Sequence, residues 1–145
     1  MALQRTLAII KPDAVGRKLS GEIIKRIESE GFKIVAGKLV WMTKEEAMGF
    51  YRDHEGKPFY ESLTDFMSSG PCWAMILEAE GAIERWREVM GATDPAEADE
   101  GTIRKLFGTD IQNNCVHGSD AAETARTEIS YFFSELEVAD PRSAL

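Results

Sequence analysis

Apolar residues along the chain recur with two different periods, and the switches between them predict alternating strands and helices. Thr6-Leu7-Ala8-Ile9-Ile10 is a continuous apolar run, the pattern of a strand buried on both faces. It stops at Lys11-Pro12-Asp13-Ala14, where Pro12 restricts Lys11 to extended geometry. Leu19, Ile23, Ile24 and Ile27 then recur at helical spacing, with Lys25, Arg26 and Glu28 facing out and Gly31 closing the helix. Phe32 to Trp41 reads as a second strand. Thr43-Lys44-Glu45-Glu46 is a capping box that opens a helix whose Ala47, Phe50, Tyr51 and His54 share one face, until Lys57-Pro58-Phe59 breaks it. A short helical piece carries Leu63 and Phe66 to Gly70-Pro71. Cys72 to Leu77 forms a third strand, and Ala82 to Met90 a helix with Ile83, Trp86 and Met90 inward.

From Gly91 to Asn114 the pattern loosens. Asp94-Pro95, the acidic residues after it and Gly101 predict a long loop, with a short helix near Thr102 to Phe107. A loop this long inside a compact domain is functional or disordered, and its cations and turn residues favour function. Val116 closes a fourth strand, and Ala122, Ala125, Ile129, Phe132, Phe133 and Leu136 mark a last long helix, followed after Glu137 by a polar tail expected on the surface. The order predicts an α+β fold formed by a single domain over 1–145. Its simplest form is a four-stranded antiparallel sheet with helices packed on one face. Such a fold hosts many activities and decides no chemistry.

Composition narrows the setting. With 145 residues, 43% hydrophobic and 29% charged, the chain is ordinary for a soluble domain. No apolar run approaches the ~20 residues of a membrane span, and Leu7 to Ile10 is too short for a signal-peptide core, so no membrane partner is expected. Cys72 and Cys115 sit in apolar contexts, as buried free thiols in a reducing compartment, the cytoplasm, would. The net charge of −8 argues against a nucleic-acid partner, sequence-specific or general. It leaves room for a small polyanion, because a few local cations make a positive pocket on an acidic protein.

The chemistry concentrates in Asn113-Asn114-Cys115-Val116-His117-Gly118-Ser119-Asp120, which holds one of the chain's 2 histidines. A histidine leaving a strand into a Gly-Ser-Asp turn has its ring edge free to meet a substrate. Neutral imidazole can attack phosphorus or relay protons; the alternative is a surface or packing residue. If Asp120 caps the last helix, with Glu123 reaching back, the helix begins at Ala121. Glu128 then lies about 12 Å along the axis, and His117 roughly 10 Å back from the cap if extended. Folded together, the two come level, and Glu128 could orient the ring; equally, Glu128 could lie on the solvated side of an amphipathic helix. Lys11, Arg87 and Arg104, with the Thr93 hydroxyl beside them, lie on distant segments and read together as a phosphate site. Phe59, a loop aromatic, is either a base-stacking platform or a core residue. There is no Walker-type loop, kinase catalytic-loop signature or Gly-x-Gly-x-x-Gly fingerprint, so phosphoryl transfer here must use the histidine.

Along nearly its whole length the chain resembles the nucleoside-diphosphate kinases. The resemblance is carried by Ile10-Lys11-Pro12-Asp13-Ala14, Gly21-Glu22-Ile23-Ile24, Phe50-Tyr51-x-x-His54, Pro58-Phe59, Ser69-Gly70-Pro71, Met90-Gly91-Ala92-Thr93, Gly101-Thr102-Ile103-Arg104 and Asn114-x-x-His117-Gly118-Ser119-Asp120, in family order and spacing. It implies a ferredoxin-like domain that assembles into homotetramers or homohexamers. It also implies a ping-pong reaction in which His117 takes the γ-phosphoryl group of a nucleoside triphosphate, mainly ATP, and passes it to a nucleoside diphosphate of any base. By the same resemblance His117, Glu128, Ser119, Tyr51 and Lys11 form the catalytic set. Lys11, Tyr51, Arg87, Thr93 and Arg104 contact phosphates, Phe59 stacks on the base, and Asn114 and Lys11 lie at the ribose. Mg2+ would be held by the nucleotide's phosphates and water.

Ala121 stands where the family commonly has serine, and Trp73, Trp86 and Lys105 are unusual and readable as packing or surface variation. Two rivals remain to be weighed. A non-catalytic nucleotide-binding protein would have lost His117 or the cations, and all are present. An RNA-binding sheet module would need aromatic-rich strands and a basic face, which the sequence lacks.

Overall fold

The computed structural model describes residues 2–140. Four strands form one antiparallel sheet in the order β2-β3-β1-β4, with β1 at Leu3–Ile10, β2 at Lys33–Val40, β3 at Cys72–Glu80 and β4 at Val116–Gly118. β1 pairs with β3 along its whole length, from Leu3↔Glu80 to Ile10↔Trp73. The helices are α1 (Pro12–Gly16), α2 (Ser20–Ser29), α3 (Lys44–Phe50), α4 (Tyr60–Met67), α5 (Ala82–Met90), α6 (Ile103–Phe107) and α7 (Ala122–Phe132). This is the ferredoxin-like α+β arrangement that the resemblance implies.

The apolar run of β1 feeds two cores. Ala8 and Ile10 face Ile23 and Ile27 of α2 and Trp86 and Met90 of α5. Leu7 and Ile9 face Ala47 of α3, Met67 of α4 and Phe132 of α7. Helices therefore cover both faces of the sheet, which corrects the expectation of packing on one face. The continuous apolar run already demanded burial on both sides.

Local signals explain most boundaries. The capping box at α3 is present: Glu46 N–H donates to Thr43 Oγ1 at 3.1 Å, and Thr43 N–H donates to Glu46 Oε1 at 2.8 Å. Gly31, at φ +92°, ends α2 in the left-handed conformation that glycine adopts without strain. Val116 opens β4 rather than closing it, so His117 lies within the strand, opposite Ile9. The last helix stops at Phe132, and Leu136 is 97% exposed in a separate 3-10 turn at Glu135–Glu137. The chain then returns beside β2, where Ala139 N–H donates to the Val35 carbonyl at 2.7 Å.

Asp120 does not cap α7. The N-cap is Ala121, whose N–H donates to Thr124 Oγ1 at 3.0 Å, while the Thr124 hydroxyl donates to Asp120 Oδ1 at 2.6 Å. Thr124, not Glu123, occupies the reach-back position, because the helix starts one residue later than the Asp120 cap required.

Candidate active site

His117 projects from β4 and its ring is held at one end. Nε2 lies 3.0 Å from Glu128 Oε1, and the buried Ser119 hydroxyl donates to that same oxygen at 2.8 Å. Ser119 Oγ in turn accepts from Leu7 N–H at 3.3 Å, so β1 anchors the series. Of the two alternatives open for Glu128, the structure takes the one in which it meets the ring. Phe50 and Tyr51 pack edge-on to the imidazole at 5.4 and 6.2 Å between centroids. A carboxylate at Nε2 favours the tautomer with the proton there, which leaves the Nδ1 lone pair unprotonated.

His117 lines a cleft of about 500 Å³ together with Lys11, Tyr51, Phe59, Arg87, Thr93, Arg104 and Asn114. Chain segments far apart in sequence thus meet in one cavity. Ser119 and Glu128 stand behind His117 rather than in the lining. The cavity carries three cations and a single carboxylate, Asp120, so it is a positive pocket on an acidic chain.

Lys11 follows β1 directly, and Pro12 at the first position of α1 fixes its extended backbone. Its Nζ donates to Asn114 Oδ1 at 2.8 Å. Burial, then the neighbouring Arg104 guanidinium, pull its pKa down to about 8, against opposing pulls from Asp13 and Cys115. Asn114 is equally committed: Nδ2 donates to the carbonyls of Thr93 at 2.9 Å and Ile111 at 2.8 Å. Arg104 uses two terminal nitrogens on the carbonyls of Gly91 (2.9 Å) and Val116 (2.8 Å), leaving Nε buried and unpartnered. Burial first, with Arg87 adding to it and Cys115 opposing, lowers its pKa to about 10. Arg87 reaches the Asp120 carbonyl only at 3.5 Å, too long to hold it firmly. Burial, reinforced by Glu128, pushes the Tyr51 phenol above its ordinary range, so it remains a proton donor.

A tight corner joins Asn114 to β4. Cys115 has φ +75°, and Val116 N–H donates to the Asn114 carbonyl at 2.9 Å, an i→i+2 bond of the strained γ-turn type. The corner is pinned on both sides: Lys11 N–H donates to the Cys115 carbonyl at 2.8 Å, and Cys115 N–H donates to Asp13 Oδ2 at 3.2 Å. Strain of this kind persists where surrounding contacts over-determine it. Both thiols are free and buried.

Phe59 is 47% exposed, not a core residue, and stands edge-on to His54 at 5.2 Å. The lining also contains residues to which sequence reasoning assigned no role in the site: His54, Leu63, Met90, Ile111, Gln112, Gly118 and Asp120. Ile111, an exposed isoleucine between turn residues of the long loop, had a readable signal, because an apolar side chain in a polar loop needs a reason. The helical spacing predicts His54 on the same face as Ala47 and Phe50, but α3 ends at Phe50 and His54 sits on a 3-10 turn at Arg52–His54. Among the described residues no group of three or more His, Cys, Asp or Glu side chains could hold a metal ion, and no helix is long and apolar enough to cross a membrane.

The arrangement can present an unprotonated ring nitrogen to an electrophile within a pocket lined by three cations. The nucleoside diphosphate kinase family model matches residues 4–138. The nucleoside diphosphate kinase of Persephonella marina is 54% identical over 140 residues, 97% of this chain and 100% of its own. That of Brucella canis is 56% identical over 138 residues, 95% of this chain and 99% of its own. The Aquifex aeolicus nucleoside diphosphate kinase structure superposes with a TM-score of 0.93 at 46% identity, covering 94% of this chain and 99% of that one. A Halobacterium salinarum nucleoside diphosphate kinase in complex with CDP gives 0.92 at 41% identity, covering 96% and 93%. The chain belongs to the nucleoside diphosphate kinase family.

Proposed function

We propose that this enzyme carries the γ-phosphoryl group of a nucleoside triphosphate, mainly ATP, on Nδ1 of His117 and hands it to a second nucleoside diphosphate. The observation that carries the reading is the Ser119–Glu128–His117 series, which holds Nε2 and leaves Nδ1 without a partner among the described residues, in a cleft that three cations also line. The Nδ1 lone pair attacks the γ-phosphorus, the bond from that phosphorus to the β–γ bridging oxygen breaks, and the diphosphate leaves with the bond's electrons. The imidazole becomes an N-phospho imidazolium whose positive charge faces the Glu128 carboxylate. In the return step a β-phosphate oxygen of the acceptor attacks the same phosphorus and restores the neutral ring.

Lys11, Arg87 and Arg104, with the Thr93 and Tyr51 hydroxyls, bind phosphate oxygens and offset charge in the transition state. Phe59 stacks on the base beside Ile111, an apolar contact that accepts any nucleobase. Asn114 Oδ1, which Lys11 leaves with one acceptor site, takes a ribose hydroxyl. The residues fit a nucleotide-borne cation, since Asp120 is the sole cleft carboxylate. Mg2+, when bound, would be held through the nucleotide's phosphates and water and would supply charge neutralisation of the polyphosphate.

The chain works as one catalytic domain in the cytoplasm, where its free thiols stay reduced, and as a homotetramer or homohexamer. The assembly is supported by the edge strand β2, with Leu39 53% and Trp41 65% exposed at its end, an apolar patch of the kind subunit contacts cover. The direct test compares His117→Ala with His54→Ala. The first should lose turnover entirely and the second should retain it; an active His117→Ala enzyme would refute the reading.

A further inference from the structure

Trp86 lies fully buried on α5, outside the cleft lining, yet it touches the backbone of the strand that carries His117. Its indole N–H donates to the His117 carbonyl at 3.1 Å. The indole lies so close to the next residue that a Cβ added at Gly118 would sit 2.5 Å from Trp86 Cδ1 and 2.7 Å from Met90 Cε. Phe32 meets the indole edge-on at 6.0 Å between centroids, which sets the plane of the ring.

β4 needs such support. It is the shortest strand of the sheet, stands at its edge, and among the described residues has β1 as its only strand neighbour. Arg104 holds the Val116 carbonyl on the strand's open side, whereas the His117 carbonyl, which points toward β1 opposite Ile9, takes the Trp86 indole N–H in addition. Arg104 also lines the cleft, whereas Trp86 does not.

We propose that Trp86 is a positioning residue for the nucleophile: its indole N–H fixes the His117 carbonyl, and with it the Cα–Cβ bond that aims the imidazole. The inference rests on His117 being the phosphorylated residue. The ring has two anchors, Glu128 at Nε2 and the backbone at Cα. Loosening the second while the first holds tilts Nδ1 away from the γ-phosphorus. In-line transfer tolerates little tilt, because a misplacement near 1 Å costs on the order of 10²-fold. Loss of one backbone hydrogen bond moves the ring by less, so a fall of about 5- to 20-fold in phosphoryl uptake is expected.

The test replaces Trp86 in the full chain by benzothienylalanine, which keeps the ring shape and puts sulfur where the N–H was; Trp86→Phe is the genetically simple second variant. Single-turnover uptake of label from γ-labelled ATP is followed by rapid quench, beside KM for the diphosphate acceptor and the melting temperature. The expected result is uptake slowed about 5- to 20-fold with KM within roughly 2-fold, which marks an interaction made in the transition state. Uptake at an unchanged rate, whatever happens to melting or KM, overturns the proposal. Absence of label on His117 in the unaltered protein overturns the nucleophile reading, and this proposal with it. The two failures are therefore told apart.

Discussion

Nε2 of His117 and Oε1 of Glu128 stand 3.0 Å apart, on an edge strand and on the helix that crosses behind it, with the Ser119 hydroxyl on the same carboxylate oxygen. Glu128 therefore both orients the ring and is itself oriented. Glu128→Ala removes a charge-assisted hydrogen bond worth about 1.5–3 kcal/mol, so single-turnover phosphoryl uptake should slow roughly 10- to 150-fold. Ser119→Ala removes only the support of Glu128 and should cost about 1 kcal/mol, or roughly fivefold. Equal effects of the two, or none, would count against a series in which one residue acts through the other.

Lys11 should give the reaction an alkaline limb. With its pKa lowered to about 8, the ammonium is charged and available to the proposed phosphate contact below that pH, and the charge is lost as pH rises through it. kcat/KM, which reports the free enzyme, should fall above about pH 8. Lys11→Arg, always charged, should abolish the limb. Asp13→Asn keeps an acceptor for Cys115 N–H but removes a carboxylate that raises the Lys11 pKa, and should move the limb to lower pH. A limb unmoved in both variants would assign it to another group.

How far the sequence reached depended on whether a feature was local. The β1 run, the α3 capping box and the Ala82–Met90 limits of α5 rest on neighbouring residues, and each was legible. The α7 start failed by one residue, because Asp120 and Thr124 both carry capping oxygens and only the backbone turn at Ala121 chooses between them. Leu136 fitted the helical spacing, but the chain leaves the helix at Phe133 to run back beside β2, a tertiary contact without a sequence mark. In the site, residue type singles out His117 and the cations, and the fold brings them into one cleft. The hydrogen bond from Trp86 to His117 joins side chain and backbone across 31 positions and has no pattern to read.

The base site should be indifferent to base identity. Phe59 is exposed in the cleft lining, and stacking is worth about 1–3 kcal/mol per base. Phe59→Ala should raise KM for ADP, GDP, CDP and UDP alike, purines most, without creating a preference. Steady-state kcat/KM for the four acceptors measures this. A native preference above ~10⁴-fold would need hydrogen-bond readout of base edges and would show the base contact to be wrong.

Gly91 joins fold to site. It has φ +88°, a Cβ there would lie 2.5 Å from Thr102 Oγ1, and its carbonyl accepts from Arg104. Gly91→Ala should destabilise the protein by about 2–3 kcal/mol through backbone strain and overpacking, seen as a lower thermal midpoint, and should weaken nucleotide binding through Arg104. An unchanged midpoint would mean that the loop relaxes freely.

The most direct measurement of the central claim is a two-step label chase. The protein is mixed with γ-labelled ATP, freed of nucleotide, assayed for acid and alkali stability of the bound label, and then given unlabelled GDP. The expected result is label on His117 that is acid-labile and alkali-stable, as a phosphoramidate is, and that moves quantitatively to GTP. Label on a serine, or label on His117 that GDP cannot remove, would contradict a phosphohistidine relay.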